Sequence, residues 1–183
     1  MDLRYRLAVV TDAGAGLGRE VAVALSRLGV SVLAVDPDLS AAEETAALVG
    51  EARVQAWALQ VDPAQEQDLR MLAARSRDLG GMDLLVVSGC GRTSPDALAA
   101  PGRLIQLFVD GLSERRGRSD GTPAVVHVCR RVDTVREHAG STLAAGARVM
   151  AVVRDEAPAS RVSRAVVELL GHGAAGEVVE LSR

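Results

Sequence analysis

LAVVTDAGAGLGREVAVALSRLGVSVLAVD, residues Leu7 to Asp36, decides the fold. It reads as strand, glycine-rich turn, helix, strand. Leu7 to Val10 form a short apolar run. Gly14, Gly16 and Gly18 follow at the spacing G-x-G-x-G, where a chain turns tightly and its backbone comes close to a ligand. A helix is predicted to open near Leu17, with Leu17, Val21, Leu25 and Leu28 at spacings of four, four and three on one face. Gly29 supplies its C-terminal cap. Val30 to Val35 then form a buried strand that stops at Asp36. A carboxylate roughly twenty residues beyond such glycines is placed to accept both hydroxyls of an adenosine ribose.

That order is the first unit of a Rossmann-type sheet. TDAGAGLGR resembles the T-G-x-x-x-G-x-G turn of the short-chain dehydrogenase/reductase family, with Thr11, Gly14, Gly16 and Gly18 in place. The resemblance implies that Thr11, Gly14, Gly16, Leu17, Gly18 and Asp36 hold any bound dinucleotide. NAD is expected rather than NADP, because Asp36 accepts from a ribose hydroxyl and repels a 2′-phosphate. Asp12 stands where the family has its first glycine. A carboxylate there repels a pyrophosphate that backbone amides and a helix N-terminus attract. The cofactor expectation is therefore that none is required, with NAD the dinucleotide the site would take and Asp12 weakening it.

Length suits one domain, residues 1–183, and nearly half the residues are apolar, enough for a core between a sheet and two helical layers. The net charge is −3 with signs mixed along the chain, which proposes neither nucleic acid nor a charged tail. A small-molecule partner is expected instead. Cys90 and Cys129 are the only cysteines, and the N-terminus lacks a charged-then-apolar leader pattern, so a reduced cytoplasm is expected. No apolar run is long enough to span a membrane. With only Tyr5, Trp57 and Phe108, base-stacking platforms are absent and the core is aliphatic. All twenty-one basic residues are arginine, which fits a GC-rich bacterial genome.

Along the chain, Ser40 and Glu43 are read as a capping box for a second helix running to about Gly50. Val54 to Val61 is strand three, and Asp62-Pro63 is expected to start a helix that runs to Leu79 and stops at Gly80-Gly81. The family places an aspartate after strand three on adenine, a position matched by Asp62 or, in the other register, Gln60. For Asp62 a plain helix cap is the favoured role. DLLVVSGCG from Asp83 resembles the family's D-I-L-V-N-N-A-G with Val87 and Ser88 replacing the two asparagines. Pro95 to Ala100 and Leu104 to Arg115 are candidate helices, the second with Leu104, Ile105, Phe108 and Leu112 on one face.

Ala124 to Val128 is strand five, after which the family's serine would fall on Cys129 or Arg130. The family then has Y-x-x-x-K on a long helix. Here the sole tyrosine is Tyr5, lysine is absent, and only a short helix fits between Asp133 and Ala145. Arg148 to Val153 is strand six, Ser160 is read as the cap of a last helix carrying Val162, Val166, Leu169 and Leu170, and Glu177 to Leu181 is the last strand. About seven strands alternating with helices give an α/β fold, a Rossmann-like doubly wound parallel sheet with helices on both faces.

His127, His138 and His172 lack metal spacing, so no metal site is proposed. Ser88, His127 and Asp133 have neither a nucleophile elbow nor an oxyanion hole beside them. Cys90 and Cys129 are read as small buried hydrophobes. Arg130 is the chosen functional cation: with Arg131 it puts permanent charge where the family does its chemistry, suited to an oxyanion, and Ser88 is the second catalytic candidate. Three function classes follow. The leading one is a redox-inactive relative of the dehydrogenases catalysing a cyclisation, isomerisation or elimination. The alternatives are an NAD-dependent oxidoreductase with non-standard catalytic residues and a non-catalytic scaffold. A homodimer is expected, because the family pairs through helices flanking strand five and Leu104, Ile105 and Phe108 are apolar there.

Overall fold

The computed structural model describes residues 3–88, 95–112, 122–129, 146–154 and 157–181. In chain order its elements are β1 (Leu7–Thr11), α1 (Gly16–Ser26), β2 (Ser31–Asp36), α2 (Leu39–Gly50), β3 (Ala56–Gln60) and α3 (Glu66–Asp78). There follow β4 (Leu84–Val87), α4 (Pro95–Gly111), β5 (Ala124–Cys129), β6 (Arg148–Arg154), α5 (Ala159–His172) and β7 (Val178–Leu181). The seven strands form one sheet in the order β3-β2-β1-β4-β5-β6-β7. Every pairing is parallel, and the order runs outward from the centre on both sides, so it reverses between β1 and β4. This is the doubly wound sheet that the alternating strands and helices predict.

The alternation of side chains along a strand builds two cores. Ala8 and Val10 of β1, with Val32 and Ala34 of β2, face Val21 and Leu25 of α1 and Val166 and Leu170 of α5. The intervening Leu7, Val9, Leu33 and Val35 point to the opposite face, against Leu69 and Leu72 of α3 and Leu104, Ile105 and Phe108 of α4. Those last three residues are 1–2% exposed. They therefore belong to the protomer's own core, which removes the apolar dimer face that the sequence suggested on α4. Phe108→Ala should cost about 3–5 kcal/mol, since it empties a filled site between helix and sheet. Chemical denaturation followed by circular dichroism checks this.

Several local expectations are corrected. Leu28 lies past the end of α1 and is 42% exposed, because the chain turns at Gly29 (φ +81°) before another helical turn can form. The cap of α2 is Asp38, whose side chain accepts from the Ala41 N–H at 3.3 Å, two residues ahead of the Ser40 capping box. The α3 helix starts at Glu66 rather than at Asp62-Pro63, because the Asp62 carboxylate accepts from the Ala64 N–H (3.1 Å) in a turn of its own. Pro95–Gly111 is one helix that carries Pro101 inside it, not two. The N-cap of α5 is Pro158, and Ser160 instead accepts from the Ser163 hydroxyl with its carbonyl (3.1 Å).

One polar anchor holds the far side of the sheet. Arg148, at the start of β6, donates to the Leu170 carbonyl at 2.7 Å and to the Gly173 carbonyl at 2.5 Å, so its guanidinium closes the C-terminal end of α5. Burial pulls this guanidinium below its ordinary value. Arg148→Met should leave those carbonyls without their partner and lower stability by about 1–3 kcal/mol, read as a drop in melting temperature.

Candidate functional site

The glycine turn joins β1 to α1 at the point where strand order reverses. Its first residue past the strand, Asp12, has φ +46°, in the left-handed region. Glycine enters that region freely, and aspartate is among the few other residues that tolerate it. The turn thus keeps its course with a carboxylate in place of hydrogen. Gly18 is fixed by that course: a Cβ there would lie 2.1 Å from the Asp12 carbonyl oxygen and 2.9 Å from that of Thr11. Gly16 has φ +52° with open space around it, and both it and Ala15 are exposed. Leu17, half-buried, packs its side chain against the α1 side of the core.

At the start of helix α1, Ala15 and Gly16 are exposed, and among the described residues no side chain caps the helix. Its N-cap residue is Ala15, and no acidic residue stands in its first turn. The N–H groups at such an end have no partner within the helix and carry its positive dipole end, which is the physical basis of an anion site.

Asp36 ends β2 beside this turn, half-exposed. One carboxylate oxygen accepts from the Gly14 N–H at 2.8 Å and the other from the Asp38 N–H at 2.9 Å. Gly14 is required for the first contact, because a Cβ there would stand 2.8 Å from the Asp36 carboxylate and 2.7 Å from the Ala41 Cβ. Two N–H donors orient the carboxylate and leave lone pairs on both oxygens. Across the turn, Arg19 donates to the Gly14 carbonyl, to the Thr45 hydroxyl at 3.0 Å and to the Glu44 carboxylate at 3.0 Å. Thr45 donates in turn to the Ala13 carbonyl at 2.7 Å. Sequence reasoning missed this brace. Its signal was an arginine one residue beyond the last glycine of the turn and a threonine in the buried stripe of α2.

At the switch point itself the Thr11 hydroxyl donates to the Ser88 carbonyl (3.2 Å) and accepts from the Ser88 N–H (3.1 Å), while the Ser88 hydroxyl donates to the Thr11 carbonyl. Ser88 is 7% exposed, so its hydroxyl serves as a clamp between the ends of β1 and β4. Asp62 sits past β3 in its turn, with its N–H donating to the Asp68 carboxylate at 2.8 Å, and Gln60 donates to the Pro37 carbonyl at 2.9 Å. Cys129 is buried at the end of β5 beside Val149 and Ala151. Tyr5 is 81% exposed and precedes β1, at the opposite end of that strand from the glycine turn. Arg130, Arg131, Asp133, His138, Cys90 and the short helix expected before Ala145 lie outside the described residues.

The sequence model of the family described as short chain dehydrogenase matches residues 6–103. The 7alpha-hydroxysteroid dehydrogenase of Escherichia coli is 36% identical over 88 residues, 47% of this chain and 34% of that protein. A hydroxyacyl-CoA dehydrogenase of Mycobacterium tuberculosis is 39% identical over 90 residues, 46% of this chain and 28% of that protein. The chain thus spans about a third of the length of these curated relatives. A solved 7α-hydroxysteroid dehydrogenase, complexed with NADH and 7-oxo glycochenodeoxycholic acid, superposes with a TM-score of 0.82 at 19% identity, covering 98% of this chain and 94% of that one.

Proposed function

Because the chain belongs to the short-chain dehydrogenase family, we propose that residues 1–183, as one domain, bind NAD(H) at the β1–α1–β2 turn and serve an oxidoreductase-class reaction on a small molecule. The observation that carries this reading is the N-terminus of α1, capped by no side chain among the described residues, beside an oriented Asp36 carboxylate. The residues suit the group at both ends, with the Asp12 carboxylate weakening the phosphate end. The N–H groups of Gly16, Leu17 and Gly18 would hold phosphate oxygens, and Asp36 would accept from the ribose hydroxyls. Thr11 and Ser88 hold the two strand ends together, and Asp62 would border the adenine of a bound dinucleotide. When bound, the nicotinamide supplies or accepts a hydride.

The relatives' names support this redox reading above the redox-inactive one favoured by sequence alone. One observation keeps the latter as a second reading. The proton donor of the family has no counterpart here: Tyr5 is at the wrong end of β1 and the chain has no lysine. A proton delivered to a developing alkoxide would have to come from another group, and Arg130 would stabilise the oxyanion by charge without giving up a proton. The same cation suits a non-redox step through an enolate.

Arg130→Ala should leave the melting temperature unchanged and lower turnover or substrate affinity tenfold or more, about 1.4 kcal/mol. Full activity in that variant would remove Arg130 from the site. The two readings part on one assay: NADH consumption with a panel of ketones supports the redox reading, and conversion of substrate with no change in NADH absorbance supports the other. Self-association remains part of the proposal, through a surface other than Leu104, Ile105 and Phe108, and light scattering at micromolar concentration checks it.

A further inference from the structure

The hydrogen bonds across the glycine turn form one directed relay that ends on Asp36. The Arg19 Nε–H donates to the Thr45 hydroxyl oxygen at 3.0 Å, and the Thr45 hydroxyl donates to the Ala13 carbonyl at 2.7 Å. That carbonyl shares a peptide group with the Gly14 N–H, which donates to an Asp36 carboxylate oxygen at 2.8 Å. Every hydrogen along the relay points the same way, from a guanidinium cation through a hydroxyl and a peptide to a carboxylate anion. In such a series each bond polarises the next, so a donor on the peptide's carbonyl strengthens its N–H as a donor in turn.

The members of the relay are tied from several directions. Thr45 is fully buried in α2. Its one hydroxyl hydrogen has a second acceptor, the Ala41 carbonyl one turn back, but at 3.2 Å that oxygen is farther than the Ala13 carbonyl. On the near side of the relay peptide the Ala13 N–H donates to the Val35 carbonyl at 3.0 Å, and on its far side the Gly14 carbonyl accepts from Arg19. The peptide therefore cannot turn without breaking bonds to α2 and to the end of β2. The other Asp36 oxygen accepts from the Asp38 N–H two residues on, so the Gly14 bond is the one that ties the carboxylate to the glycine turn.

We propose that Thr45 and Arg19 are positioning residues for dinucleotide selection: acting through one peptide, they fix the direction in which Asp36 presents its carboxylate. This rests on the reading that Asp36 takes the ribose of NAD(H). A carboxylate held in place accepts from ribose hydroxyls and sets its charge against a 2′-phosphate, and one released to turn away does both less well. The pair thus sets discrimination between the two dinucleotides more than affinity for either.

NADH and NADPH are titrated calorimetrically into the wild-type chain and its variants, and the quantity read is the ratio of the two affinities. Thr45→Val keeps the shape of the side chain without its hydroxyl and should lower the preference for NADH about fivefold or more. Thr45→Ser returns the hydroxyl and should restore the preference. Arg19→Met should shift the ratio in the same direction, and with a side chain 31% exposed it keeps the test standing if Thr45→Val does not fold. In an Asp36→Ala chain, Thr45→Val should change the ratio no further, because the relay then has no carboxylate to orient. Arg148→Met loosens the far side of the sheet and should leave the ratio as it is, which separates positioning from a general loss of stability. A wild type that prefers NADH together with an unchanged ratio in Thr45→Val and Arg19→Met would overturn the proposal and leave the dinucleotide reading standing. So would a preference that Thr45→Ser does not restore, or one that falls as far in Arg148→Met. Binding of neither dinucleotide by the wild type and by Asp12→Gly would overturn that reading and this proposal with it.

Discussion

Gly18→Ala is expected to abolish measurable NADH binding and to lower the unfolding free energy by about 1–3 kcal/mol, as overpacking of a filled site does. The new Cβ would meet backbone, not a side chain that can swing away. The Asp12 carbonyl oxygen stands 2.1 Å from it and the carbonyl carbon 2.7 Å. Relief requires the Thr11–Asp12 segment to move away from α1, and that motion opens the turn whose N–H groups are proposed to meet the phosphates. Binding and stability should therefore fall together. Gly50→Ala is the control, because a Cβ there meets nothing within 4 Å, and it should leave binding intact. A Gly18→Ala protein that binds NADH normally would show that the turn does not hold the ligand.

Asp12→Gly is expected to tighten NADH binding tenfold or more, about 1.4 kcal/mol. Two like charges 4 Å apart at an effective dielectric of 20 repel by about 4 kcal/mol, and solvent at a half-exposed residue screens part of that. Glycine takes φ +46° without strain, so the turn's course is preserved. Asp12→Asn separates the two effects: asparagine also tolerates the left-handed region but carries no charge, and it should reproduce most of the gain. The gain should shrink as salt is added. Unchanged affinity in both variants would eliminate the charge argument.

What was legible in the sequence was whatever depends on periodicity. The glycine turn and the α1 stripe at Val21 and Leu25 follow from residue spacing, and the parallel sheet from the alternation of strands with helices, and the structure has them. Helix starts were less legible, because aspartate and serine serve both caps and turns. Asp62 spends its carboxylate on Ala64, and Ser160 lies inside its helix. Apolar faces showed where burial occurs but not against what: Leu104, Ile105 and Phe108 face their own sheet, whereas the sequence suggested a second protomer. The Arg19–Thr45 brace depends on a pair of helices that only the fold brings together. Ser88 was read from its family register as a catalytic candidate, and the fold gives its hydroxyl to the Thr11 carbonyl.

The central claim is that the β1–α1–β2 turn holds NAD(H) through Asp36. Titration of NADH and NADPH into the wild-type chain and into Asp36→Ala tests it most directly. The account expects saturable NADH binding in the wild type, weaker binding of NADPH, and loss of the NADH preference in Asp36→Ala. Tighter binding of NADPH, or binding of neither dinucleotide by the wild type and by Asp12→Gly alike, would contradict it.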